Sequence, residues 1–530
     1  MATIRRARES DLEQVREIFL ASYGEAYAYP QFYDVDMLKR MVFSEHTILL
    51  VAVDETTDRV LGTASMVFDV GGYTDLIGEF GRLAVHPDAR HRGIGHQLMA
   101  ARIECVKDRI HVGLVEPRAS HPFSQKIAIK HGFAPVGFLP MKLLLKRRES
   151  VTLVVRYFQD ALTLRRNNPR VVPEVHRLAG AALGSVGLPV DAIVDEQSAP
   201  YPPGADFQLE ELTTPDYAAL LRLERGRIRH REIFGPMALH YGLFKLKARH
   251  SNYLLAREGS QVVGAVGFII DKVEKAVRIF ELVSTSDEPI RLLLAELLRR
   301  SRETWGVEYM DVDVSAHAPR MQRTLLELGF LPAAYIPAMV FHDVERLDVV
   351  KMVRILVPWD LGHLVLVPEI KPLAELVIRQ FKSRDVLPRI AQATAAMPLF
   401  AGLNAEQANR LAAACTVDRF PAGARIFHEG QRADKVYLLL EGRISIRVGE
   451  TEKSVGSVHA GECLGEVSLL LSGSRSATAV ARTDVEAAVL THEVLNELIR
   501  LRPDIGLIIY RNLAAGISHK LRRSDLRRVD

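Results

Sequence analysis

Apolar residues recur with helical spacing near the start of the chain and in compact runs after it. An apolar stripe from Leu12 to Phe19 predicts a helix. Runs rich in Val, Leu and Ile then predict strands at 46–54, 59–70 and 79–85, and further elements follow. The complete predicted order, β-α-β-β-β-α-β-α-β, indicates an α/β fold in which helices cover a mixed sheet.

The same order of elements recurs in the second part of the chain. A predicted helix at 214–224 precedes a hairpin at 252–270, and a strand, a helix and another strand complete the pattern. The helix at 321–330 ends in Gly-Phe, as the corresponding first-copy helix does at Gly132 and Phe133. We therefore predict two tandem copies of one fold, with a divergent repeat of about 140 residues.

Strict alternation of apolar and polar residues marks the last part of the chain. In KVYLLLEGRISIRV, residues 435–448, every second residue from Val436 is apolar on both sides of a Glu-Gly turn. This pattern predicts two strands that share one apolar face. Short strands continue to Ala488, and two helices close the region. We predict a β-roll with helical ends.

These patterns divide the chain into five predicted segments. They are a first copy at 1–150, a linker at 151–205 that ends within QSAPYPPGAD, residues 197–206, a second copy at 206–348, a helical connector at 349–395 and the β-roll at 396–525. The length of 530 residues, with 48% hydrophobic and 25% charged residues, is typical of several globular domains in one chain.

Charge and cysteine content exclude several classes of function. A net charge of +4 is too small to indicate a nucleic-acid-binding surface. Three separated cysteines without a CxxC motif indicate neither a disulfide framework nor a metal site. The sequence shows no signal peptide and no apolar run long enough to span a bilayer. We therefore expect a cytoplasmic protein with no nucleic-acid or membrane partner.

The stretch ARHRGIG, residues 89–95, follows a predicted strand and opens a predicted helix. Backbone amides at a helix start are unpaired and carry positive partial charge, so they can hold a phosphate. Glycines at positions 93 and 95 allow close approach of a ligand, and Arg90 and Arg92 add positive charge. The same pattern also fits a tight strand-to-helix turn without a ligand.

LAVHPDARHRGIGHQLM, residues 83–99, resembles the acyl-CoA pyrophosphate loop of the GNAT acyltransferases. Arg90, Gly93 and Gly95 occupy the fixed positions of that loop, and the order of elements agrees through residue 145. The resemblance implies an acetyl-CoA co-substrate, with its pantetheine arm along the strand and its pyrophosphate in the loop. The implied binding residues are Leu83, Ala84, Val85, Arg90, His91, Arg92, Gly93, Ile94, Gly95 and His96.

Acyl transfer to an amine requires a neutral nucleophile. Deprotonating a lysine at pH 7 costs roughly 4–5 kcal/mol, and a general base addresses this cost. By the same resemblance Glu79, on the strand before the loop, is the candidate base. The tyrosine that protonates the leaving thiolate in many GNAT enzymes is replaced by Ala128, so water, His121 or Ser124 would have to serve.

The second copy differs from the first at the phosphate loop. The matching stretch, LVSTSDEPIRLLL at 282–294, has no glycine, and Asp287 and Glu288 add negative charge. Pro289 also removes a backbone donor. We therefore expect a degenerate second GNAT-like copy that serves architecture or substrate access without binding CoA.

The stretch GEVSLLLSGSRSATAVA, residues 465–481, places a Gly-Glu pair before one arginine set among small residues. It resembles the phosphate-binding cassette of cyclic nucleotide-binding domains, with Leu464 in place of a frequent phenylalanine. The resemblance implies that Arg475 binds the cyclic phosphate, that Glu466 accepts the ribose 2′-hydroxyl, and that backbone amides after Gly465 add donors. The implied site comprises Gly465, Glu466, Val467, Ser468, Arg475, Ser476 and Ala477.

Together the two resemblances predict an acetyl-CoA-dependent N-acetyltransferase under allosteric control by a cyclic nucleotide. The favoured effector is cAMP rather than cGMP, and the acceptor is a protein lysine or a small amine. An alternative is a cyclic-nucleotide-binding sensor or scaffold whose GNAT folds are catalytically inactive. Ala128 favours this alternative, whereas the intact loop from Arg90 to Gly95 opposes it.

Overall fold

The structure is a computed structural model of the 530-residue chain. It describes residues 2–24, 32–68, 75–204, 206–212, 232–235, 251–383, 390–391, 393–394, 397–449, 453–466 and 473–526. The chain divides into two compact units, Met1–Ile378 and Arg379–Asp530.

The first unit has two halves with similar elements. The first half contains β1 (Ala2–Arg6), α1 (Leu12–Tyr23), α2 (Val35–Val42), β2 (Thr47–Asp54), β3 (Val60–Val67), β4 (Ile77–Val85), α3 (Ile94–Val106), β5 (Val112–Val115), α4 (Phe123–Lys130), β6 (Ala134–Leu144) and β7 (Arg148–Tyr157). Short 3₁₀ helices lie at Glu9–Asp11 and Pro87–Ala89.

The elements that follow β7 complete the first unit, and the last of them continues beyond its end at Ile378. They are β8 (Arg170–Val171), α5 (Pro173–Ser185), β9 (Ile193–Val194), β10 (Gln208–Glu211), β11 (Ile233–Phe234), β12 (Ser251–Glu258), β13 (Gln261–Asp271), β14 (Ala276–Ser284), α6 (Glu288–Glu303), β15 (Tyr309–Ser315), α7 (Pro319–Glu327), β16 (Leu331–His342), β17 (Glu345–Ile355) and α8 (Lys371–Ser383). The helix predicted at 214–224 lies outside the described residues.

Fifteen strands of the first unit form one sheet in which the strand order repeats. The first half runs β1-β2-β3-β4-β5-β7-β6, and the sheet continues β16-β17-β15-β14-β13-β12-β10, with β11 beside β15. The second series therefore matches the first in reverse. The halves meet where Gly137 pairs with Ala334. A Cβ at residue 137 would overlap the Ala334 Cβ, so glycine allows the two strands to approach.

The domain boundaries predicted at residues 150 and 348 are both wrong. Residue 150 falls inside β7, which lies between β5 and β6, and residue 348 falls inside β17, which lies between β15 and β16. The charged residues at 146–149 resemble the end of a domain in the sequence. In the structure they form the turn from β6 to β7 and the start of β7, because the apolar run at 151–155 pairs on both sides.

The chain segment that follows each half packs against the other half. We call residues 164–185 the first arm and residues 359–378 the second arm. The Val172 amide of the first arm donates to Gln322 Oε1 in α7 at 3.1 Å, and the Val367 amide of the second arm donates to Gln125 Oε1 in α4 at 3.0 Å. The predicted linker at 151–205 is therefore largely part of the folded unit.

Two apolar clusters cover the two faces of the first-half sheet. One packs α1 and α2 against β2 and β3, and it contains Phe19, Phe32 and Leu49. The other packs α3 and α4 against the opposite face, and it contains Leu98, Ala128 and Phe133. Residues Val367 and Ile370 of the second arm belong to this second cluster, so the arm completes the core beneath α4.

The second unit is a roll of two four-stranded sheets with helices at both ends. Its elements are a 3₁₀ helix at Pro398–Phe400, α9 (Ala405–Ala414), β18 (Thr416–Phe420), β19 (Arg425–Phe427), β20 (Lys435–Glu441), β21 (Arg443–Val448), β22 (Lys453–His459), β23 (Cys463–Leu464), β24 (Thr478–Ala481), β25 (Val485–Thr491), α10 (His492–Leu501) and α11 (Pro503–Leu526). The sheet orders are β18-β25-β20-β23 and β19-β24-β21-β22.

The prediction that 435–448 forms two strands on one apolar face is wrong in one respect. Strands β20 and β21 lie in different sheets, so Leu438 joins one core cluster and Ile444 joins another. Gly442, with φ +92°, allows the turn between them. Across the described parts of both units, no helix is long and apolar enough to cross a membrane.

Candidate functional site

The candidate catalytic site begins at the point along β4 where its pairing with β5 ends. The parallel ladder pairs Ile77, Gly78 and Glu79 with Val112–Leu114 and then ends, although β4 continues to Val85. Among the described residues, the edge of β4 that faces β5 therefore has no strand partner after Glu79. Leu83, Ala84 and Val85, predicted to pair with a pantetheine arm, lie on this segment.

A bulge with unusual backbone geometry separates Glu79 from that edge. In the β3–β4 ladder Ser65 opposes Gly81, whereas Thr63 opposes Ala84, so β4 carries one extra residue. Arg82 adopts φ +55°, a conformation that non-glycine residues rarely adopt. Its guanidinium contacts the Glu79 carboxylate at 3.1 Å, and the Glu79 side chain remains 30% exposed. Glu79 is therefore accessible and held by a neighbour on its own strand.

The loop from Arg90 to His96 places unpaired amides at the start of α3. Among the described residues, none accepts a hydrogen bond from the backbone amides of Arg92, Gly93, Ile94 or Gly95. The Arg90, His91 and Arg92 side chains are exposed around them. Free amides at a helix start and exposed cationic side chains together form an anion-binding geometry.

The two loop glycines have different physical roles. Gly93 caps α3 with φ +77°, and a Cβ there would meet no atom, so backbone conformation is what requires glycine. Gly95 is buried, and a Cβ there would lie 2.9 Å from Ile127 Cδ1 of α4. The absence of a side chain at residue 95 therefore allows α3 and α4 to pack closely. The sequence pattern indicated for this glycine only a role in the close approach of a ligand.

The α4 position that the sequence analysis compared with the tyrosine acid is Ala128. Ala128 is fully buried within the cluster of α3 and α4. His121, one of the substitutes considered, has a buried Nδ1 without a hydrogen-bond partner among the described residues. Burial, followed by the charge of Arg118, lowers its pKa, so the neutral imidazole is favoured. A neutral histidine is a poor proton donor to a thiolate.

A cleft of about 510 Å³ lies next to this region in the first half. It is lined by Ser22, Tyr23, Arg118, Leu145, Lys146, Arg147 and Glu149. Arg118 and Glu149 form a bidentate pair at 2.8–3.0 Å, and Ser120 donates to the same carboxylate at 2.9 Å. Burial raises the pKa of Tyr23, so its hydroxyl stays protonated at neutral pH.

The second half lacks the equivalent groups. The β4–β5 ladder begins with Ile77 opposite Val112, and the β14–β15 ladder begins with Ala276 opposite Tyr309. Two residues further along β14, Arg278 therefore stands at the position of Glu79. Its guanidinium lies 3.2 Å from Asp311. At the α6 start, Asp287 pairs with Arg320, so this helix terminus carries a carboxylate where the first half carries arginines.

The nucleotide-binding candidate centres on a buried arginine in the second unit. Arg475 is 6% exposed, and its Nη2 donates to the Lys435 carbonyl at 2.6 Å. Its guanidinium lies 4.2 Å from the centroid of Phe427 and 5.8 Å from that of Tyr437. Within the described residues no carboxylate pairs with it, and its Nε has no partner. Burial lowers its pKa, against the opposing effects of Tyr437 and Asp434.

Gly465 determines how closely the cassette approaches this arginine. It has φ +85°, and a Cβ there would overlap Arg475 Nη1. Glu466 follows it and is partly exposed. Beyond Arg475, Ser476 is exposed and Ala477 is partly buried. Val467 and Ser468 of the predicted site lie outside the described residues.

Sequence reasoning missed the residues that surround Arg475. Phe427, Lys435 and Tyr437 come from strands β19 and β20, far from the cassette in sequence. The sequence shows these aromatic residues within predicted strands but does not show that they lie against Arg475, where they make cation–π contacts. Among the described residues of the chain, no group of three or more His, Cys, Asp or Glu side chains could hold a metal ion.

Comparisons with known proteins match both regions. The family model of the Acetyltransferase (GNAT) domain matches residues 45–135, and that of the Cyclic nucleotide-binding domain matches residues 417–502. The chain is 35% identical over 132 residues to the Cyclic AMP receptor protein of Thermus thermophilus, which covers 24% of this chain and 59% of that protein. It is 33% identical over 109 residues to a cAMP-dependent protein kinase regulatory subunit of Aspergillus fumigatus, covering 21% and 26%.

Solved structures are also similar. The Catabolite Activator Protein of Thermus thermophilus is 34% identical, and the alignment covers 24% of this chain and 61% of that one with a TM-score of 0.23. The chain thus spans less than two thirds of the length of these relatives. The chain contains a GNAT acetyltransferase domain, matched at residues 45–135, and a cyclic nucleotide-binding domain, matched at residues 417–502.

Proposed function

We propose that the protein is an acetyl-CoA-dependent N-acetyltransferase whose activity a cyclic nucleotide regulates. The observation that carries this proposal is the presence of two separate anion-binding geometries in one chain. The first consists of amides at the start of α3 and a strand edge beside them that have no partner among the described residues. The second is the buried Arg475, which has no carboxylate partner in the described part of the chain.

Acetyl-CoA would bind along β4 and α3. The edge from Leu83 to Val85 offers backbone groups to the amides of the pantetheine arm. The amides of Arg92 to Gly95 and the exposed arginines face the pyrophosphate. This arrangement directs the thioester toward Glu79, two residues before the bulge.

Glu79 would act as the general base. The acceptor amine loses a proton to the Glu79 carboxylate and attacks the acyl carbon, so that a C–N bond forms as the C–S bond breaks. The thiolate of CoA then takes a proton from solvent, because Ala128 supplies no acid. A positioned base contributes about 10²–10⁴-fold to such a step.

The acceptor would enter through the cleft beside Tyr23. Its lining includes Lys146 and Arg147 on the turn after β6, both exposed. The cleft is open to solvent at these residues, which suits a side chain presented by a protein as well as a small amine. A protein lysine is the acceptor that we propose, with a small amine as the other acceptor class.

The second half would be a degenerate copy of the GNAT fold. Its strand order matches the first half, while Arg278 replaces the base and Asp287 faces the helix start. An anionic pyrophosphate is repelled by such a terminus. Its proposed role is architectural, since it supplies β16 and the second arm to the catalytic half.

The nucleotide would bind through its phosphate at Arg475 and its ribose at Glu466. An arginine without a carboxylate partner gains a charge-assisted pair when the cyclic phosphate binds. We propose cAMP rather than cGMP as the effector. A coupling free energy of about 1–3 kcal/mol would change activity 5- to 150-fold.

The experiment uses the purified full chain. Calorimetry with acetyl-CoA, cAMP and cGMP measures binding, and thiol release from acetyl-CoA with a panel of amines measures turnover with and without nucleotide. We expect acetyl-CoA binding, amine-dependent thiol release and a change in its rate with cAMP. Arg475→Ala should remove nucleotide binding and leave acetyl-CoA binding intact. If the protein binds nucleotide but releases no thiol under any condition, the proposed acetyltransferase activity is refuted.

The second candidate function is a nucleotide sensor with inactive GNAT folds. The fully buried Ala128 favours it, because no side chain at that position can protonate a thiolate. The sensor predicts nucleotide binding without turnover, and so the same experiment distinguishes it from the enzyme.

A further inference from the structure

Helix α3 carries a fully buried arginine that the site described above does not use. Arg102 has no exposed surface, and no carboxylate of the described residues pairs with it. Burial, with the added charge of Arg82, lowers the pKa of its guanidinium to about 9. A buried cation without a counterion is costly unless its hydrogen bonds compensate. Its contacts therefore indicate what it does.

The hydrogen bonds of Arg102 converge on the bulge of β4. Its Nη1 donates to the Gly81 carbonyl at 3.1 Å and to the Ser65 carbonyl at 3.2 Å. Ser65 and Gly81 form the last regular pair of the β3–β4 ladder before the extra residue. The guanidinium also lies 5.4 Å from the Phe80 ring centroid, and Nη2 contacts Met99 Sδ at 3.4 Å.

The bulge connects two functional groups. On one side Glu79 is held by the Arg82 guanidinium, and on the other side the edge begins at Leu83. Arg82 has φ +55°, which costs about 1 kcal/mol or more for a residue with a Cβ. A strained turn of this kind requires support from its surroundings, and Arg102 supplies it at the preceding carbonyl.

The second half serves as an internal comparison. Gly62 faces Ile94 and Leu98 of α3, and Gly264 faces Pro289 and Leu293 of α6, so the two helices correspond residue by residue. The counterpart of Arg102, four residues after Leu293, is Leu297, which is fully buried.

The strand beside Leu297 also differs from β4. The extra residue of β14 lies next to the pair formed by Gly267 and Glu281. No residue of Ala276–Ser284, all of which the structure describes, has a positive φ. In the second half, therefore, leucine occupies the helix position that corresponds to Arg102, and the neighbouring strand has no left-handed bulge to support.

We propose that Arg102 is a positioning residue for acyl transfer, which holds the left-handed bulge of β4 and thereby aligns Glu79 and the Leu83–Val85 edge. This inference rests on the proposed acetyltransferase function. It assigns Arg102 no contact with the substrate. Its effect passes through the Gly81 carbonyl to the backbone on both sides.

The test compares Arg102→Leu, which installs the second-half residue, with Arg102→Lys and with Val106→Ala. Val106 is fully buried one turn further along α3 and makes no side-chain hydrogen bond. Each variant of the full chain is measured for thermal unfolding, acetyl-CoA affinity, kcat and KM. Hydrogen exchange of the amides from Glu79 to Val85 provides a readout independent of activity.

We expect Arg102→Leu to remain folded, to exchange faster at 79–85, to bind acetyl-CoA about ten-fold more weakly and to lose about 10²-fold in kcat, as misplacement of a reacting group does. Arg102→Lys, which keeps the charge and can donate to the carbonyls but lacks the planar guanidinium that contacts Phe80 and Met99, should be intermediate. Val106→Ala should lower the unfolding temperature and change neither affinity nor kcat. If Arg102→Leu does not fold, Arg102→Lys carries the same comparison.

The inference would be overturned if Arg102→Leu kept the wild-type hydrogen exchange, acetyl-CoA affinity and kcat. It would also be overturned if Val106→Ala lost as much affinity and kcat as Arg102→Leu does. A wild-type chain that binds no acetyl-CoA and releases no thiol would overturn the proposed function itself. The two failures are therefore distinguishable.

Discussion

The two arms of the first unit provide a matched pair of perturbations. Gln125 and Gln322 occupy corresponding positions in α4 and α7, both are fully buried, and each holds the arm that follows the other half. Replacing each by alanine removes a similar side chain. The two variants differ in how many hydrogen bonds they lose.

Gln125 makes three full hydrogen bonds. Its Nε2 lies 2.8–3.0 Å from the carbonyls of Arg118, His121 and Val365, which share its two N–H donors, and its Oε1 accepts from the Val367 amide. Gln322 makes two, from Nε2 to the Ser315 carbonyl at 3.0 Å and from the Val172 amide to Oε1. With a net value of about 1 kcal/mol per bond, Gln125→Ala should cost about 3 kcal/mol and Gln322→Ala about 2 kcal/mol.

The assay is urea unfolding followed by tryptophan fluorescence. Both tryptophans, Trp305 and Trp359, lie in the first unit, so the signal reports on that unit within the full chain. The free energies of unfolding are compared between variants that share the same slope of free energy against urea concentration. Equal losses in the two variants, or a larger loss in Gln322→Ala, would refute the counting of hydrogen bonds and the role of Gln125 as the stronger anchor.

Three further predictions concern the sites and pH. Glu79→Gln should lower kcat by about 10²–10⁴-fold without weakening acetyl-CoA binding in calorimetry; unchanged turnover would remove Glu79 from the base role. Gly465→Ala should abolish cAMP binding because a Cβ overlaps Arg475, whereas Gly449→Ala, at a similar φ of +77° in open space, should retain it. Burial raises the pKa of Asp311, but Arg278 and Lys351 outweigh it and lower that pKa to about 2. This stabilisation is present above about pH 4 and is lost as pH falls toward 2, so Asp311→Asn should flatten that loss in acid unfolding curves.

The local parts of the structure could be predicted from the sequence. The segment at 90–96 follows a strand and opens a helix as the pattern indicated, and the helices and strands predicted between 252 and 330 occur where periodicity placed them. The β-roll likewise has the predicted closing helices. These features depend on neighbours within one element or one turn, and such interactions leave a period or a motif in the sequence.

Long-range pairing decided the rest. The Gln125 side chain binds a segment 242 residues away in the chain, and no local period records that contact. Strand β7 was missed for the same reason, because a strand buried between two others reads as a short apolar run after a charged turn.

The sequence by itself determined which groups are available for chemistry: Glu79, the loop from Arg90 to His96, Gly465, Glu466 and Arg475. Only the tertiary structure decided how they are supported. It placed Arg102 under the bulge of β4, Ile127 against Gly95, and Phe427 and Tyr437 around Arg475. The physical reason is that residue type specifies charge and hydrogen-bonding capacity. Burial and partners depend on segments that meet only when the sheet and the roll have formed.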